Sequence, residues 1–527
     1  MKGPTAFALA VFVVSCASAT PVMPPNTVSR IDFSCSWGLL SNGDELNVAY
    51  PDSNATYWAQ TLRMKPGDSI TVRGSFPGAR YFSFISYDPS GTPYSESPSQ
   101  MLPWPPSPSP SSTPDLNSEI YDAQLAARTG QNYFISSRPA PLPPTGTYVL
   151  HVTSGPPSLT RAANPRNPRS VAVLAAPTPG PSSIGGLTGW LLYRVYAPYV
   201  GHPGTFGTPQ YYEFIKGGVS LPTVSRIWAP GSPRPVPTLP PCPSRLYEPF
   251  VKALAVPLIS KIIRQAPTPA PEPLFQYNGG GGLFPNPNNK YVYGTTTWKR
   301  RRLIIITGLA PTFPNTNSQG IVQKPPTDVR YWSTCTNKDI SPAPVVFCAD
   351  DQHTHLFGPL PGTLIPPATD ELFPGISGPQ TTPPPGAVQY AYLVSSAADK
   401  PAVLDPNITW LPWFKPIDEP PSPGSKVPGM LIMRNMLPIF EFIDSIQNIP
   451  TYGKSAAAQL LASLNPPQDP KLARNPVVQA VAVMGLYYPR AIYCRDTLFE
   501  KAYSKKQKLG EAIHACARAA ARVRVPP

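Results

Sequence analysis

Apolar positions along this chain fall in short runs bounded by glycine and proline. In Arg80-Tyr-Phe-Ser-Phe-Ile-Ser-Tyr87, Phe82, Phe84 and Ser86 share one strand face, while Tyr81, Ser83, Ile85 and Tyr87 share the other. Aromatics on both faces predict a strand covered from both sides, and Asp88-Pro-Ser-Gly91 reads as the turn that ends it. Ser69 to Gly74 (SITVRG) and Leu303 to Gly308 (LIIITG) are β-branched runs closed by glycine, the pattern of buried strands. Gly189 to Arg194 and Gly429 to Arg434 are apolar strands that each carry an arginine, and a charge placed there needs a carboxylate or carbonyl partner. Apolar residues at helical spacing predict helices over 246–265, despite Pro257, and over 454–464, 475–486 and 496–524.

The strand runs repeat. Tyr50-Pro-Asp-Ser-Asn54 matches Phe284-Pro-Asn-Pro-Asn288, each followed at the same offset by a tyrosine, Tyr57 and Tyr291. Without a gap come Gly74 and Gly308, and three residues later Pro77 and Pro311. Arg80-Tyr-Phe-Ser83 then matches Arg330-Tyr-Trp-Ser333, and Gly189 to Pro198 matches Gly429 to Pro438. Ordered matches at an offset of 234–250 residues are the mark of an internal duplication. The expected fold is mainly β: two tandem antiparallel β-sandwich or jelly-roll domains, with a linking helix and a helical C-terminal tail. The expected division is 1–19 signal peptide, 20–240 first sandwich with a Pro/Ser-rich loop at 97–114, 241–272 linker, 273–450 second sandwich and 451–527 basic helical region.

Composition adds a compartment. Lys2, the apolar run 6–14 and the small residues Ala17 and Ala19 form the three parts of a secretory signal cleaved after Ala19. Beyond it, six cysteines remain, an even set suited to an oxidising compartment. Local geometry favours Cys335 with Cys348 across a hairpin, Cys494 with Cys516 between two helices, and Cys35 with Cys242 closing the first domain. None has zinc-type spacing. Asn54 and Asn407 head acceptor sequons for N-glycosylation. No later run is long and apolar enough for a transmembrane segment. The 78 prolines, about three times the usual share, disfavour long helices and suit strands joined by extended loops. The net charge is +14, and the last predicted helix is basic on one side, where Lys501, Lys505, Lys506, Lys508, Arg518 and Arg522 form either a solvated helix face or a surface for anionic polysaccharide or a membrane. Nucleic acid is not expected as a partner of a secreted chain without a recognition motif.

The combination of Gly74-x-x-Pro77, the 80–91 run, Trp410-Leu-Pro412 and G-x-L-[LI]-x-R-x-x-x-P resembles a family of secreted bacterial and algal proteins of unknown function with tandem jelly-roll-like domains. That resemblance implies a β-sandwich and secretion, and no activity. In the second copy Thr336-Asn-Lys338 stands where the family has Tyr-Asp, and 435–437 lacks its aromatic stretch. The tract 103–114 (PWPPSPSPSSTP) is similar to the Ser-Pro modules of algal hydroxyproline-rich wall glycoproteins, which are O-glycosylated.

Little in the chain carries chemistry. There is no G-x-S-x-G elbow, HExxH, P-loop or dinucleotide fingerprint, so no catalytic residue is assigned and no cofactor is expected. The exception is Asp351, His353 and His355, which on a strand would project to one side and suit a divalent metal. Trp104, Trp410 and Trp413 are candidates for stacking on sugar rings. Two readings follow. One is a secreted, wall-associated glycoprotein that binds extracellular polysaccharide or matrix, or is structural, without catalysis. The other is a metal-dependent hydrolase or oxidoreductase using the Asp/His cluster.

Overall fold

The computed structural model describes residues between 33 and 524, apart from 96–117, 136–145, 199–221, 228–237, 243–247, 266–273, 278–282, 358–383, 415–426, 450–474 and some shorter stretches. The signal segment, the Ser-Pro tract with Trp104, His353, Asn407 and the helix expected over 454–464 lie outside the described residues.

The first copy contains β1 (Leu39–Ser41), β2 (Ala55–Leu62), β3 (Ser69–Ser75), β4 (Ala79–Tyr87), β5 (Glu119–Tyr121), β6 (Ala127–Thr129), β7 (Thr147–Ser154), β8 (Ala172–Ala176), β9 (Gly189–Pro198) and β10 (Thr223–Ile227). Helix α1 (Glu248–Gln265) follows. The second copy contains β11 (Gln276–Tyr277), β12 (Asn289–Trp298), β13 (Arg302–Leu309), a small hairpin of β14 (Asn315–Asn317) and β15 (Gly320–Val322), β16 (Val329–Lys338), β17 (Val345–Asp350), β18 (Leu356–Phe357), β19 (Gln389–Ser395), β20 (Thr409–Pro412), β21 (Val427–Pro438) and β22 (Arg490–Arg495). Among the described residues three more helices follow: α2 (Pro476–Met484), α3 (Asp496–Lys506) and α4 (Leu509–Arg524).

The two copies have the same topology. The front sheet runs β1-β2-β9-β4-β5 in one and β11-β12-β21-β16-β17 in the other. The back sheet runs β10-β3-β7-β6 with β8 beside β7, and β22-β13-β19-β18 with β20 beside β19. Pairing is antiparallel except for β7 with β8 and β19 with β20, which are parallel in both copies. Register repeats as well. Arg194 lies between Tyr57 and Ser83, and Arg434 lies between Tyr291 and Ser333. The repeated strand-ending glycine has a steric cause. A Cβ at Gly74 would sit 2.4 Å from the Tyr148 hydroxyl, and one at Gly308 would sit 2.6 Å from that of Tyr390. Each glycine therefore makes room for the ring of its cross-strand tyrosine.

Each sandwich is filled from its inward faces, by Phe82, Phe84, Tyr148, Leu150, Tyr193 and Val195 in the first copy. Their counterparts in the second include Trp332, Tyr390, Tyr392 and Met433, with α2 added to that core. The outer face of the first front sheet is covered twice, by Phe250, Val251 and Leu254 of α1 and by the second copy. The C-terminal region is mostly helical but also supplies β22, which pairs with β13 as β10 pairs with β3. The tail expected as one helix over 496–524 is two, and α3 and α4 cover the outer face of the second back sheet.

The disulfides are Cys35–Cys242, Cys335–Cys348 and Cys494–Cys516. Cys335 and Cys348 face one another across β16 and β17. The third bridge ties strand β22 to helix α4, not helix to helix as expected, because the polypeptide around Cys494 is drawn into the back sheet.

The copies are joined by buried ion pairs that cross in both directions. Arg80 of β4 donates from Nη1 to Asp351 Oδ2 at 3.2 Å, and both side chains are fully buried. Arg330 of β16 donates from Nη1 to Asp122 Oδ1 at 2.9 Å. Arg80 and Arg330 are equivalent in the duplication, as are Asp122 and Asp351, which directly follow β5 and β17. Each aspartate also accepts an amide at the matching position, from Phe82 and from Trp332. Replacing Arg80 by Met should strand Asp351 as a buried unpaired charge and lower stability by roughly 3–5 kcal/mol. Arg80→Met combined with Asp351→Leu should recover more than half of that loss, as read by urea unfolding with the disulfides intact. Two losses that simply add would show that the groups are not coupled.

Candidate functional site in the cleft between the copies

A cavity of about 140 Å³ lies where β2 and β9 of the first copy face β12 and β21 of the second, with Val251 of α1 on its wall. Its lining is largely apolar and aromatic, from Leu39, Ala59, Leu192, Leu283, Phe284 and Ile432, together with Tyr57, Tyr196 and Tyr291. Two arginines line it, the equivalent pair Arg194 and Arg434.

The duplication builds both arginine sites alike. Each guanidinium lies over the tyrosine beside it in the sheet, Arg194 at 5.5 Å from the Tyr57 ring and Arg434 at 5.4 Å from the Tyr291 ring. Each reaches into the aromatic-Pro loop of the other copy. Arg434 donates from Nη2 to the Tyr50 carbonyl at 2.8 Å, and Arg194 donates from Nη2 to the Phe284 carbonyl. Tyr50 and Phe284 both take left-handed backbone, φ 57° and 50°, a strained conformation for aromatic residues that is held by these contacts.

The sites differ in charge. Asp52 stands next to Arg434, with Oδ2 at 3.8 Å from Nη1, and it also accepts from Ser333 Oγ at 2.7 Å and Tyr331 Oη at 2.9 Å. The equivalent residue near Arg194 is Asn286, which carries no charge. Among the described residues, no carboxylate lies within ion-pair distance of Arg194, whose Nε and Nη1 have no hydrogen-bond acceptor although the residue is 2% exposed. Asn286 Nδ2 is likewise buried without an acceptor. The phenols do not supply the missing charge, since burial pushes Tyr57 and Tyr291 well above the usual tyrosine range. The acid that senses Arg194 is Glu119, which accepts from Tyr81 Oη at 2.6 Å. Burial raises its carboxyl from 4.5 to about 7, against the lowering effects of the Tyr81 hydrogen bond and the Arg194 charge.

The residues singled out from sequence have different surroundings. Asp351 is buried in the clasp with Arg80, whereas His355 is exposed just before β18 and donates its amide to Thr409 Oγ1. Asp351 lies just past the end of β17 at Asp350 and His355 just before β18 at Leu356, so neither is a strand residue and the alternation that would align them does not apply. Asp52, Cys335 and Cys348 do cluster, but the two sulfurs are joined to each other and offer no thiolate. Trp413 is a core residue, 4% exposed and pressed against Gly429. Trp410 is half-buried, with the Lys400 ammonium 4.3 Å from its ring centre and its indole N–H donated to Ser395 Oγ. The Asn54 sequon is a correction. Its side chain is 4% exposed and donates from Nδ2 to the Cys348 carbonyl at 3.1 Å, so an N-linked sugar does not fit the folded chain. Arg194 and Arg434 were legible as buried charges in need of partners, and Asp52 as a member of the repeated aromatic-Pro loop; Asp122 and Glu119 carried no signal of their own.

No family model matches the chain, and no curated protein gives a significant match. Among solved structures it is similar to an uncharacterized protein from Burkholderia cenocepacia, at 11% identity and a TM-score of 0.40, covering 90% of this chain and 86% of that one. That likeness carries no functional inference. No helix of the described residues is long and apolar enough to cross a membrane.

The Glu119 carboxyl gives a pH test. Because its folded-state value is raised, the folded protein keeps a proton that the unfolded chain releases, so its contribution is present below about pH 4.5 and is lost as pH rises through about 7. Relative to Glu119→Gln, the native protein should lose stability between pH 4 and pH 8 by an amount on the order of 3 kcal/mol. Urea unfolding of both proteins across that range checks this, and parallel curves would contradict it.

Proposed function

We propose that this is a secreted, non-catalytic binding protein that takes a small extracellular ligand between its two copies. The cavity shared by both front sheets is the observation that carries this reading. Binding sites are concave, mostly apolar and furnished with a few polar groups, and they favour the boundary between domains. The signal-like N-terminus and the even cysteine set support the extracellular setting, and three disulfides suit a scaffold that keeps its shape there. Stacking of an extended glycan on tryptophans is less well supported, since Trp413 is buried and Trp410 is partly covered by Lys400. The metal-enzyme reading draws no support from Asp351, whose carboxylate is engaged by Arg80, or from the exposed His355.

A cavity of this size accommodates a ligand about as large as a single aromatic ring. Benzyl alcohol and indole should therefore bind one to one and compete with each other in ligand-observed NMR, and Ala59→Phe, which fills the cavity, should abolish both. Saturable binding to wall polysaccharides that survives Ala59→Phe, without binding of either small probe, would overturn the reading.

A further inference from the structure

We infer that Arg194 is the seat for a carboxylate, and that the cavity takes a small monocarboxylic acid with an apolar or aromatic body. The inference deepens the reading of the cavity as a ligand site and rests on it. Its starting point is a difference in charge between two equivalent arginine sites. Arg80, Arg330 and Arg434 each have an aspartate from the other copy. Arg194 has a carbonyl and two aromatic faces, Tyr57 and Tyr87, both at 5.5 Å, but among the described residues no carboxylate within ion-pair distance; the buried Glu119 carboxyl that senses its charge is engaged by the Tyr81 hydroxyl. A guanidinium does not lose its proton in a protein, so burial leaves a full positive charge that the fold must balance. The position that supplies the balance for Arg434 is Asp52, and at the equivalent place beside Arg194 the chain has Asn286.

The unsatisfied groups also agree in kind. Arg194 Nε and Nη1 and Asn286 Nδ2 are all donors, so what completes them is an acceptor. Both residues line the same cavity. A carboxylate supplies two acceptor oxygens and one negative charge, matching one guanidinium, whereas a phosphate dianion would leave a second charge uncompensated in an apolar pocket. Leu39, Leu192, Leu283 and Ile432 then surround the body of the acid. The volume limits that body to roughly one aromatic ring or a short aliphatic chain.

The test uses the full chain with its disulfides, titrated with benzoate, hexanoate, benzamide, benzyl alcohol and inorganic phosphate. Benzoate should bind at least tenfold tighter than benzamide, and phosphate should not compete with it. Asn286→Asp installs the internal counter-ion that Arg434 already has, and it should weaken benzoate at least tenfold while leaving benzyl alcohol within twofold. Arg194→Met should remove the preference of benzoate over benzamide, and Asn286→Asp covers the case in which that variant does not fold. Equal binding of benzoate and benzamide, or benzoate binding unchanged by Asn286→Asp, overturns the carboxylate seat and leaves the cavity reading standing. Phosphate displacing benzoate at lower concentration overturns the choice of carboxylate. Failure of every probe, benzyl alcohol included, overturns both readings.

Discussion

A guanidinium buried in one copy of this protein is neutralised by an aspartate of the other, and the reverse holds at the equivalent position. Arg80 with Asp351 and Arg330 with Asp122 are two instances of one contact, made in opposite directions. A buried charge without its partner is expensive, so neither front sheet can leave the other without exposing or stranding a charge. Around these pairs Tyr81, Tyr196, Tyr331 and Met436 close the same face with apolar surface. Asn47 adds two hydrogen bonds to the Val345 backbone, and Ser53 exchanges two contacts with Cys348. The arrangement resembles a symmetric homodimer whose subunits have been joined in one chain, since each patch meets its own equivalent.

Joining the copies in one chain lets the equivalent positions diverge, which a true homodimer cannot do. The divergence of Asp52 and Asn286 leaves one arginine balanced and the other not, at the wall of the cavity that the two sheets enclose. The linker helix α1 packs on the first front sheet through Phe250, Val251 and Leu254, and Val251 lines that side of the cavity. The reading of the protein as a binder follows from this asymmetry as much as from the cavity itself.

Much of this fold was legible in the residues. The Gly74 and Gly308 strands, the two aromatic-Pro loops and the two arginine strands repeat in order, and the sheet topology repeats with them. Cys335 and Cys348 were legible because a short hairpin brings them opposite one another. What sequence could not show depends on distance along the chain. Asp122 is an ordinary acidic residue until a strand more than 200 residues away places Arg330 beside it. Asn54 reads as a glycan acceptor until the second copy covers it through Cys348. Trp413 reads as a stacking surface until Gly429 makes space for its ring in the core. Strand β22 was hidden within a region rich in helical spacing, because a short run, Arg490 to Arg495, is assigned by its neighbour β13 and not by its own periodicity.

The crossed arginine–aspartate pairs make the two copies one cooperative unit. Native-state hydrogen exchange of the disulfide-intact protein, followed with increasing urea, reads this directly from the amides of β4 and β16. Both strands should open in the same event, with the same free energy and the same urea dependence. Exchange of one strand at a clearly lower free energy, while the other stays protected, would contradict it.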